Sequence, residues 1–485
     1  MIALEQLIKG MPYTVLQGST NRNICNVQYD SRKVETDDVF VCITGFASDG
    51  HAFAEKAVDQ GATVLVCEHA LDFAVPESVT VLQVENSRKA LAELSASFEN
   101  HPSEQLQVVG ITGTNGKTTV TYLVQSIFRE LGKDIGLVGT IENRIGDEVL
   151  ATERTTPESK ELQALFSTMV ERKISTCAME ISSHALDLYR VHGTKVEVAV
   201  LTNMTQDHLD YHHTMENYKQ AKGKLFAMAK KCVINMDDLT AEYMMEQTSG
   251  DILTYGIDKT ANLQAKALEI SQTGIQFLVD YQGESHAVRL STPGRFSVYN
   301  ALAAMGVGLQ LGIPMATIIS GLSKNEGVSG RFESVQGKNG VLGVVDYAHT
   351  PDGLENILKT AKEFAKGRVI VVFGCGGDRD ATKRPIMGEI AGQYADLAII
   401  TSDNPRTENP MEIIKAVEVG TQKTNCPYEL IVSRKEAIFF AVGQAKKDDV
   451  VIVAGKGHET YQIFRDETIH FDDMEELTKA LEGNQ

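Results

Sequence analysis

The sequence predicts an α/β protein of three domains with mostly parallel sheets. Two observations carry this. Short β-branched runs alternate with amphipathic helical patterns, and 485 residues divide naturally into about three units at roughly 100–200 residues each. The runs at 64–67, 108–111, 196–201, 368–373, 397–400 and 450–454 are continuous and apolar, as strands covered on both faces must be. Between them lie helices. Val120, Leu123, Val124, Ile127, Phe128 and Leu131 fall on one helical face, and Gly132 ends the pattern. Residues 1–10, with Glu5 inside the apolar portion, predict a short amphipathic helix and not a signal peptide. His101–Glu104 and Gly327–Gly330 mark boundaries, giving domains 1–104, 105–330 and 331–485.

Composition narrows the function. With 42% apolar and 23% charged residues, the chain has ample core and is not disordered. Its net charge of −19, with no compensating basic run, excludes a nucleic-acid binder held by phosphate contacts. No stretch approaches the ~18 apolar residues of a membrane span. The seven cysteines form no Cys-x-x-Cys pair, which argues against a disulfide framework or zinc ribbon and for reduced cytoplasmic thiols.

The segment Gly110-Ile-Thr-Gly-Thr-Asn-Gly-Lys-Thr-Thr119 follows a strand and opens a helix, the context a phosphate loop requires. Small residues let backbone N–H groups wrap phosphates, Lys117 reaches the terminal phosphates from the open side of the loop, and Thr118 offers a hydroxyl to magnesium. The strict pattern wants glycine where Ile111 stands; Gly110 and Gly113 flank it. Such a loop alone leaves kinase, switch, motor and ligase open.

Three further features share the middle block. Glu180 follows a strand-like segment, at the end where α/β sheets place ligands. Asp207, His208 and Asp210 follow the strand 196–201. Lys222 lies with Tyr218, Leu225 and Phe226 on one helical face. A buried lysine loses its proton readily and, as a neutral amine, can capture carbon dioxide to become an anionic carbamate. The competing readings are plain: Lys222 snorkels to the rim, Glu180 caps a helix, and His208 is a core histidine held by Asp207 or a carbonyl.

Taken together, Gly113-Thr-Asn-Gly-Lys-Thr-Thr119, Glu180-Ile-Ser-Ser-His184, Asn203-Met-Thr-Gln-Asp-His208 and Ala221-Lys222 resemble the Mur ligases, the ATP-dependent amide-forming enzymes of peptidoglycan precursor synthesis. So do Gly330-Arg-Phe-Glu333, Asp346-Tyr-Ala-His349, Gly374-Cys-Gly-Gly-Asp-Arg379 and Gly455-Lys-Gly-His-Glu459, and, near the start, Asp30-Ser-Arg32 and Gly45-Phe-Ala-Ser-Asp-Gly50. The segment Asp403-Asn-Pro-Arg406 resembles that family's diaminopimelate signature.

The resemblance implies a uridine-nucleotide-binding N-terminal domain, a central P-loop ATPase domain and a C-terminal Rossmann-like domain. It implies that Ser31 and the 45–50 loop hold the uridine end, and that Thr155, Thr156, Ser182 and Arg190 hold the muramoyl-dipeptide. Gly113, Thr114, Asn115, Gly116, Lys117, Thr118 and Thr119 would hold ATP phosphates. Asn300 would lie against adenine, with Arg331 and Asp346 reaching the nucleotide from the third domain. Thr118, Glu180, His208 and Lys222, the last as N6-carboxylysine, would organise Mg2+. Arg379, Asp403, Asn404, Pro405, Arg406, Gly455 and Glu459 would bind the incoming amino acid. Lys117, Glu180, His208 and Lys222 would carry the catalysis; His208 and His349 are candidates for the amine proton, with a metal or phosphate role open for both. Leu188 stands where some relatives carry glutamine, and Phe46, Ala47 and Ser48 depart from a more polar segment.

The implied reaction joins meso-diaminopimelate to the γ-carboxylate of UDP-N-acetylmuramoyl-L-alanyl-D-glutamate through an acyl phosphate, in the cytoplasm, by a monomer with no nucleic-acid or membrane partner. The alternatives are a lysine-adding ligase of the same kind, a folylpolyglutamate synthetase-like ligase, and a P-loop switch or motor.

Overall fold

The computed structural model describes residues 1–45 and 48–483. Phe46 and Ala47, in the loop expected to meet uridine, lie outside the described residues, as do Asn484 and Gln485. Among the described residues the chain forms three α/β bodies around a five-, an eleven- and a six-stranded sheet. None of the described helices is long and apolar enough to cross a membrane.

In the first body Val27–Gln28, Val39–Val41, Val64–Cys67 and Thr80–Gln83 run parallel, with Thr14–Gln17 antiparallel at the edge. The helix Ser87–Phe98, whose N-terminus is capped by the Asn86 side chain accepting from the Lys89 N–H, packs on one face with Leu4 and Leu7. The N-terminal helix spans only Leu4–Leu7, because Ile2–Ala3 is drawn out to pair with Asn23–Ile24.

The parallel core of the central sheet is Gly136–Val138, Thr176–Glu180, Gln107–Thr112, Val196–Leu201, Ala229–Asn235 and Asp251–Gly256, in that spatial order. Both ends are antiparallel, which the buried-run pattern did not reveal. One end is the hairpin Asn143–Ile145 and Glu148–Leu150; the other is the meander Leu263–Ser271, Gly274–Tyr281 and Glu284–Leu290, whose first strand joins the core by a short parallel pairing with Asp251–Gly256. These strands face the core on one side only, so much of their surface is exposed and their sequence is mixed rather than continuously apolar. Helices Lys117–Glu130, Arg295–Gln310 and Met315–Ser323 cover one face of the sheet, and Ser159–Glu171 and Met215–Met228 the other.

The third body has Leu342–Asp346, Val450–Ala454, Val369–Phe373, Leu397–Thr401 and Tyr428–Ile431 in parallel, with Glu333–Gln336 antiparallel at one edge. Helices Pro351–Phe364, Lys383–Tyr394 and Pro410–Thr421 cover one face; Arg434–Gln444 and Asp473–Gly483 cover the other. In the second and third bodies the loops leaving the C-terminal strand ends carry nearly every motif singled out above, as expected for open α/β sheets.

Candidate active site

The phosphate loop leaves the central strand Gln107–Thr112. Ile111 is still inside that strand and fully buried, so a glycine is not needed there. The tight position is Gly113, at φ +147°, where a Cβ would lie 1.8 Å from Thr202 Oγ1. Gly116, at φ +86°, approaches Asn300 so closely that a Cβ would meet Oδ1 at 2.4 Å. The loop is stitched to the strand-end segment beside it: Thr114 N donates to Asn203 O (2.8 Å), Asn115 N to Asn203 Oδ1 (2.9 Å), and Thr202 Oγ1 to Asn115 O (2.6 Å). Asn115 Nδ2 also donates to Asp352 Oδ2 of the third body (2.6 Å).

Lys117 is not on the open side of the loop. Its ammonium donates to Gly113 O (2.9 Å) and Thr114 O (2.8 Å). Burial pushes its pKa down, against the pull of Glu180 and Asp207. Thr118 Oγ1 donates to Glu180 Oε2 (2.9 Å). Glu180, 1% exposed, also accepts from Thr140 N (2.8 Å) and Thr140 Oγ1 (3.0 Å). It is the last residue of its strand and ties the Thr118 hydroxyl, in the first turn of the helix Lys117–Glu130, to the loop at Thr140, rather than capping the helix's N–H groups.

Lys222 does not snorkel. It is 1% exposed, on a helix whose N-cap Thr214 accepts from the Asn217 N–H. Its Nζ donates to the same Gly113 carbonyl (2.9 Å) and sits 4.6 Å from the Tyr218 ring centroid. Burial, reinforced by repulsion from Lys117, holds its pKa well below the ordinary lysine value. His208 is no core histidine: its side chain is 43% exposed, in a left-handed backbone turn at φ +54°, with Nε2 3.3 Å from Asp207 Oδ2. No hydrogen bond or ion pair joins it to Glu180 or Thr118 among the described residues.

Arg331, in the connection between the second and third bodies, reaches the phosphate loop, its Nη2 donating to Thr118 Oγ1 (3.1 Å) while its guanidinium lies over the Tyr347 ring. Asp346 Oδ2 accepts from Phe332 N (2.7 Å), and burial raises its carboxyl to about 6. His349 donates from Nδ1 to Tyr347 O (2.8 Å) once its proton is placed there, leaving Nε2 as the acceptor.

On the substrate side, Thr155 Oγ1 meets Thr140 Oγ1 (3.0 Å), Thr156 Oγ1 donates to Glu180 O (2.8 Å), and Ser182 N donates to Thr156 Oγ1 (3.1 Å). Arg190 Nη1 donates to Thr156 O (3.2 Å). The motifs missed Glu158, which is buried and whose Oε2 lies 3.4–3.7 Å from Arg88, Arg154 and Arg190, a concentration of cations spanning the first two bodies. Ser31 is buried at the start of the turn Ser31–Lys33, capped by Asp30. Asp49, His51 and His69 form the one described group of three metal-type side chains with ligand atoms within 4.8 Å. Both ring nitrogens of His51 are already committed, Nδ1 to Asp49 Oδ1 (2.6 Å) and Nε2 to the Glu68 N–H (2.9 Å), so the group is a hydrogen-bonded clasp on the 45–50 loop.

In the third body the 403–406 segment meets two other loops. Arg406, at φ +52°, donates from Nη1 to Gly377 O (2.8 Å), and Gly377 N donates to Asn404 O (2.9 Å). Asn404 Nδ2 donates to Glu459 Oε2 (2.8 Å). Gly455, at φ +122°, passes Asp403 so closely that a Cβ would lie 2.7 Å from Oδ2. Pro405 is buried beside them, whereas Arg379 is exposed on the neighbouring loop.

Burial pushes His212, His349 and His458 down to about 4. The unfolded chain binds these protons near 6.5, so between pH 6.5 and 4 it carries more protons than the folded one, and stability rises with pH across that window. Denaturant unfolding should therefore show stability falling from pH 7 to pH 5. His212→Gln, which removes a buried ring bonded to Ser183 Oγ (2.9 Å), should flatten that slope by up to one proton, about 1.4 kcal/mol per pH unit. An unaltered slope would show that His212 is not held neutral.

Residues 111–308 match the Mur ligase middle domain, 330–457 the Mur ligase glutamate ligase domain, and 23–99 the Mur ligase family catalytic domain. The chain is 48% identical to a UDP-N-acetylmuramoyl-L-alanyl-D-glutamate--2,6-diaminopimelate ligase of Clostridium botulinum, over 99% of this chain and 100% of the relative. It is 49% identical to the protein of that name from Caldanaerobacter subterraneus subsp. tengcongensis, over 99% and 98%. A solved structure bearing that ligase's name aligns with a TM-score of 0.72 at 32% identity, covering 100% of this chain and 99% of that one.

Proposed function

The chain belongs to the Mur ligase family, and from that membership we propose that it joins meso-2,6-diaminopimelate to UDP-N-acetylmuramoyl-L-alanyl-D-glutamate, with ATP as co-substrate. The observation that supports the reading is the Arg331–Thr118 contact, by which the segment entering the third body reaches the phosphate loop. A switch or motor has no use for that arrangement. A folylpolyglutamate synthetase-like ligase has no use for the first body.

A carboxylate does not accept an amine at neutral pH. The D-glutamyl γ-carboxylate first attacks the terminal phosphorus of ATP, giving an acyl phosphate and ADP; the amine then attacks the acyl carbon and phosphate leaves. Lys117 and Arg331 bring fixed positive charge to the transferring phosphoryl group, where charge stabilisation matters most. Asn300 holds the adenine side and Asp346 the nucleotide from the third body. Thr155, Thr156, Ser182 and Arg190 orient the dipeptide, Ser31 and the 45–50 loop the uridine end. His208 and His349 are candidates for the amine proton and equally for contacts to metal or phosphate.

Glu180 and Thr118 are hard oxygen donors already in contact, and Lys222 has the depressed pKa that carbamate formation needs, so the residues fit Mg2+. Thr118, Glu180, His208 and carboxylated Lys222 would hold it, and it would offset phosphate charge. On this reading it would act in the cytoplasm, as a monomer.

Oxygen-18 in the γ-carboxylate of the UDP-dipeptide tests the activation step. The label is expected in the released phosphate. Label that stays wholly in the peptide product or appears in ADP would overturn the acyl-phosphate route.

A further inference from the structure

Lys456 belongs to none of the contacts assigned above, yet its side chain is fully buried where the strand Val450–Ala454 ends. Its Nζ donates to Glu459 Oε2 (2.9 Å) and lies 3.1 Å from Asn404 Oδ1. Asn404 Nδ2 donates to the same Glu459 oxygen (2.8 Å), and Asn404 Oδ1 also accepts from Ile463 N (2.9 Å). One lysine thus closes a ring of hydrogen bonds through the 403–406 loop, the 455–459 loop and the Tyr461–Ile463 strand. The ring fixes which way the Asn404 amide points. It also occupies Glu459 Oε2, leaving Oε1, which carries no hydrogen bond among the described residues, to accept from a ligand.

A neutral donor would close the same ring, and burying an ammonium is costly. The charge needs its own explanation. The carboxylates of Asp403 and Glu459 both lie within electrostatic reach of Arg434. Arg434, the other buried cation nearby, is committed to Asp473 through paired bonds of 2.7 and 2.6 Å, both side chains being fully buried. With the Arg434 charge balanced by Asp473, Lys456 is a further buried cation beside the two carboxylates. With it they present one net negative charge, which a single ligand ammonium neutralises, while Arg406 remains for a ligand carboxylate. Although burial works against the charged form, Arg434 and Lys456 hold Asp403 below the usual carboxylate range.

We infer that Lys456 is a positioning residue that sets the preference for an amino acid whose far end carries both an ammonium and a carboxylate over one whose far end carries an ammonium alone. This rests on the third body being the amino-acid site. Removing the cation leaves that site more negative, which penalises the extra carboxylate of diaminopimelate and favours the bare ammonium of lysine.

The test is steady-state amide formation by the wild-type enzyme and by Lys456→Gln, Lys456→Met and Lys456→Arg, with diaminopimelate and with lysine. Lys456→Gln keeps a hydrogen-bond donor but removes the charge, so the ring still closes if Lys456→Met fails to fold. In Lys456→Gln the ratio of kcat/KM for diaminopimelate over lysine should fall about tenfold or more, through KM for diaminopimelate, as removal of a unit charge a few ångströms from a ligand requires. KM for ATP and for the UDP-dipeptide should stay within about twofold. Lys456→Arg should keep the ratio. An unchanged ratio in Lys456→Gln, including equal losses with both amino acids, overturns the inference and marks Lys456 as structural only. A wild-type enzyme that prefers lysine overturns the proposed function itself, a result read before any variant is made.

Discussion

Lys222→Ala is expected to lose amide formation by on the order of 100- to 1000-fold or beyond, the scale of removing one preorganised electrostatic contact at a reacting phosphoryl or acyl group. The reason lies in what surrounds the side chain. It is buried, its ammonium shares the Gly113 carbonyl with Lys117, and two cations on one acceptor repel. The neutral amine is favoured, and a neutral amine can add carbon dioxide with loss of a proton. The resulting carbamate relieves the repulsion and adds an anionic oxygen beside the phosphate loop. Small carboxylates such as acetate or formate should restore part of the activity of Lys222→Ala by occupying the vacated volume with similar oxygens. Intact-mass measurement of active wild-type enzyme showing an unmodified amine, together with no rescue, would defeat this reading.

Arg406→Ala should cost diaminopimelate use about 30- to 5000-fold in kcat/KM, the equivalent of the roughly 2–5 kcal/mol lost when one partner of a buried charge pair is removed. Diaminopimelate differs from lysine by one carboxylate, and a planar, permanently charged guanidinium reads that group best. The structure holds Arg406 in a left-handed conformation that a non-glycine residue adopts at a cost. Of its guanidinium nitrogens only Nη1 is engaged among the described residues, by Gly377 O, so the rest of the fork is available. Arg406→Ala should leave KM for ATP and the UDP-dipeptide close to wild type. Unchanged diaminopimelate kinetics in the variant would refute the assignment and promote the lysine-adding alternative.

The motifs were legible because each rests on local geometry. The Gly113 and Gly116 backbone conformations, the strand before them and the helix after them are set within about 20 residues, and short-range chemistry writes itself into sequence. The parallel strands were legible for a related reason: burial on both faces demands an unbroken apolar run, as at Val450–Ala454. The meander Leu263–Ser271 to Glu284–Leu290 was not, since strands with one face largely exposed carry mixed composition that periodicity does not separate from loop. The carbonyl partners of Lys117 were not legible for another reason. A long side chain chooses its partners after the fold is made, and here it turned back onto two carbonyls of its own loop.

By itself, the sequence determined an α/β fold in three parts, a phosphate loop, a lysine on an apolar helical face and an arginine on a stiff loop after a strand. Each follows from residues close in the chain, where spacing and side-chain type specify the outcome. Only the tertiary structure decided that Lys222 is sealed from solvent, that Arg331 crosses to Thr118, that Glu158 gathers Arg88, Arg154 and Arg190, and that Lys456 braces Asn404 against Glu459. Arg331 and Thr118 are 213 positions apart, and Asn404 and Lys456 are 52 apart. Their pairing depends on how sheets and helices pack across the whole chain, and burial and charge balance are properties of that packing rather than of any segment.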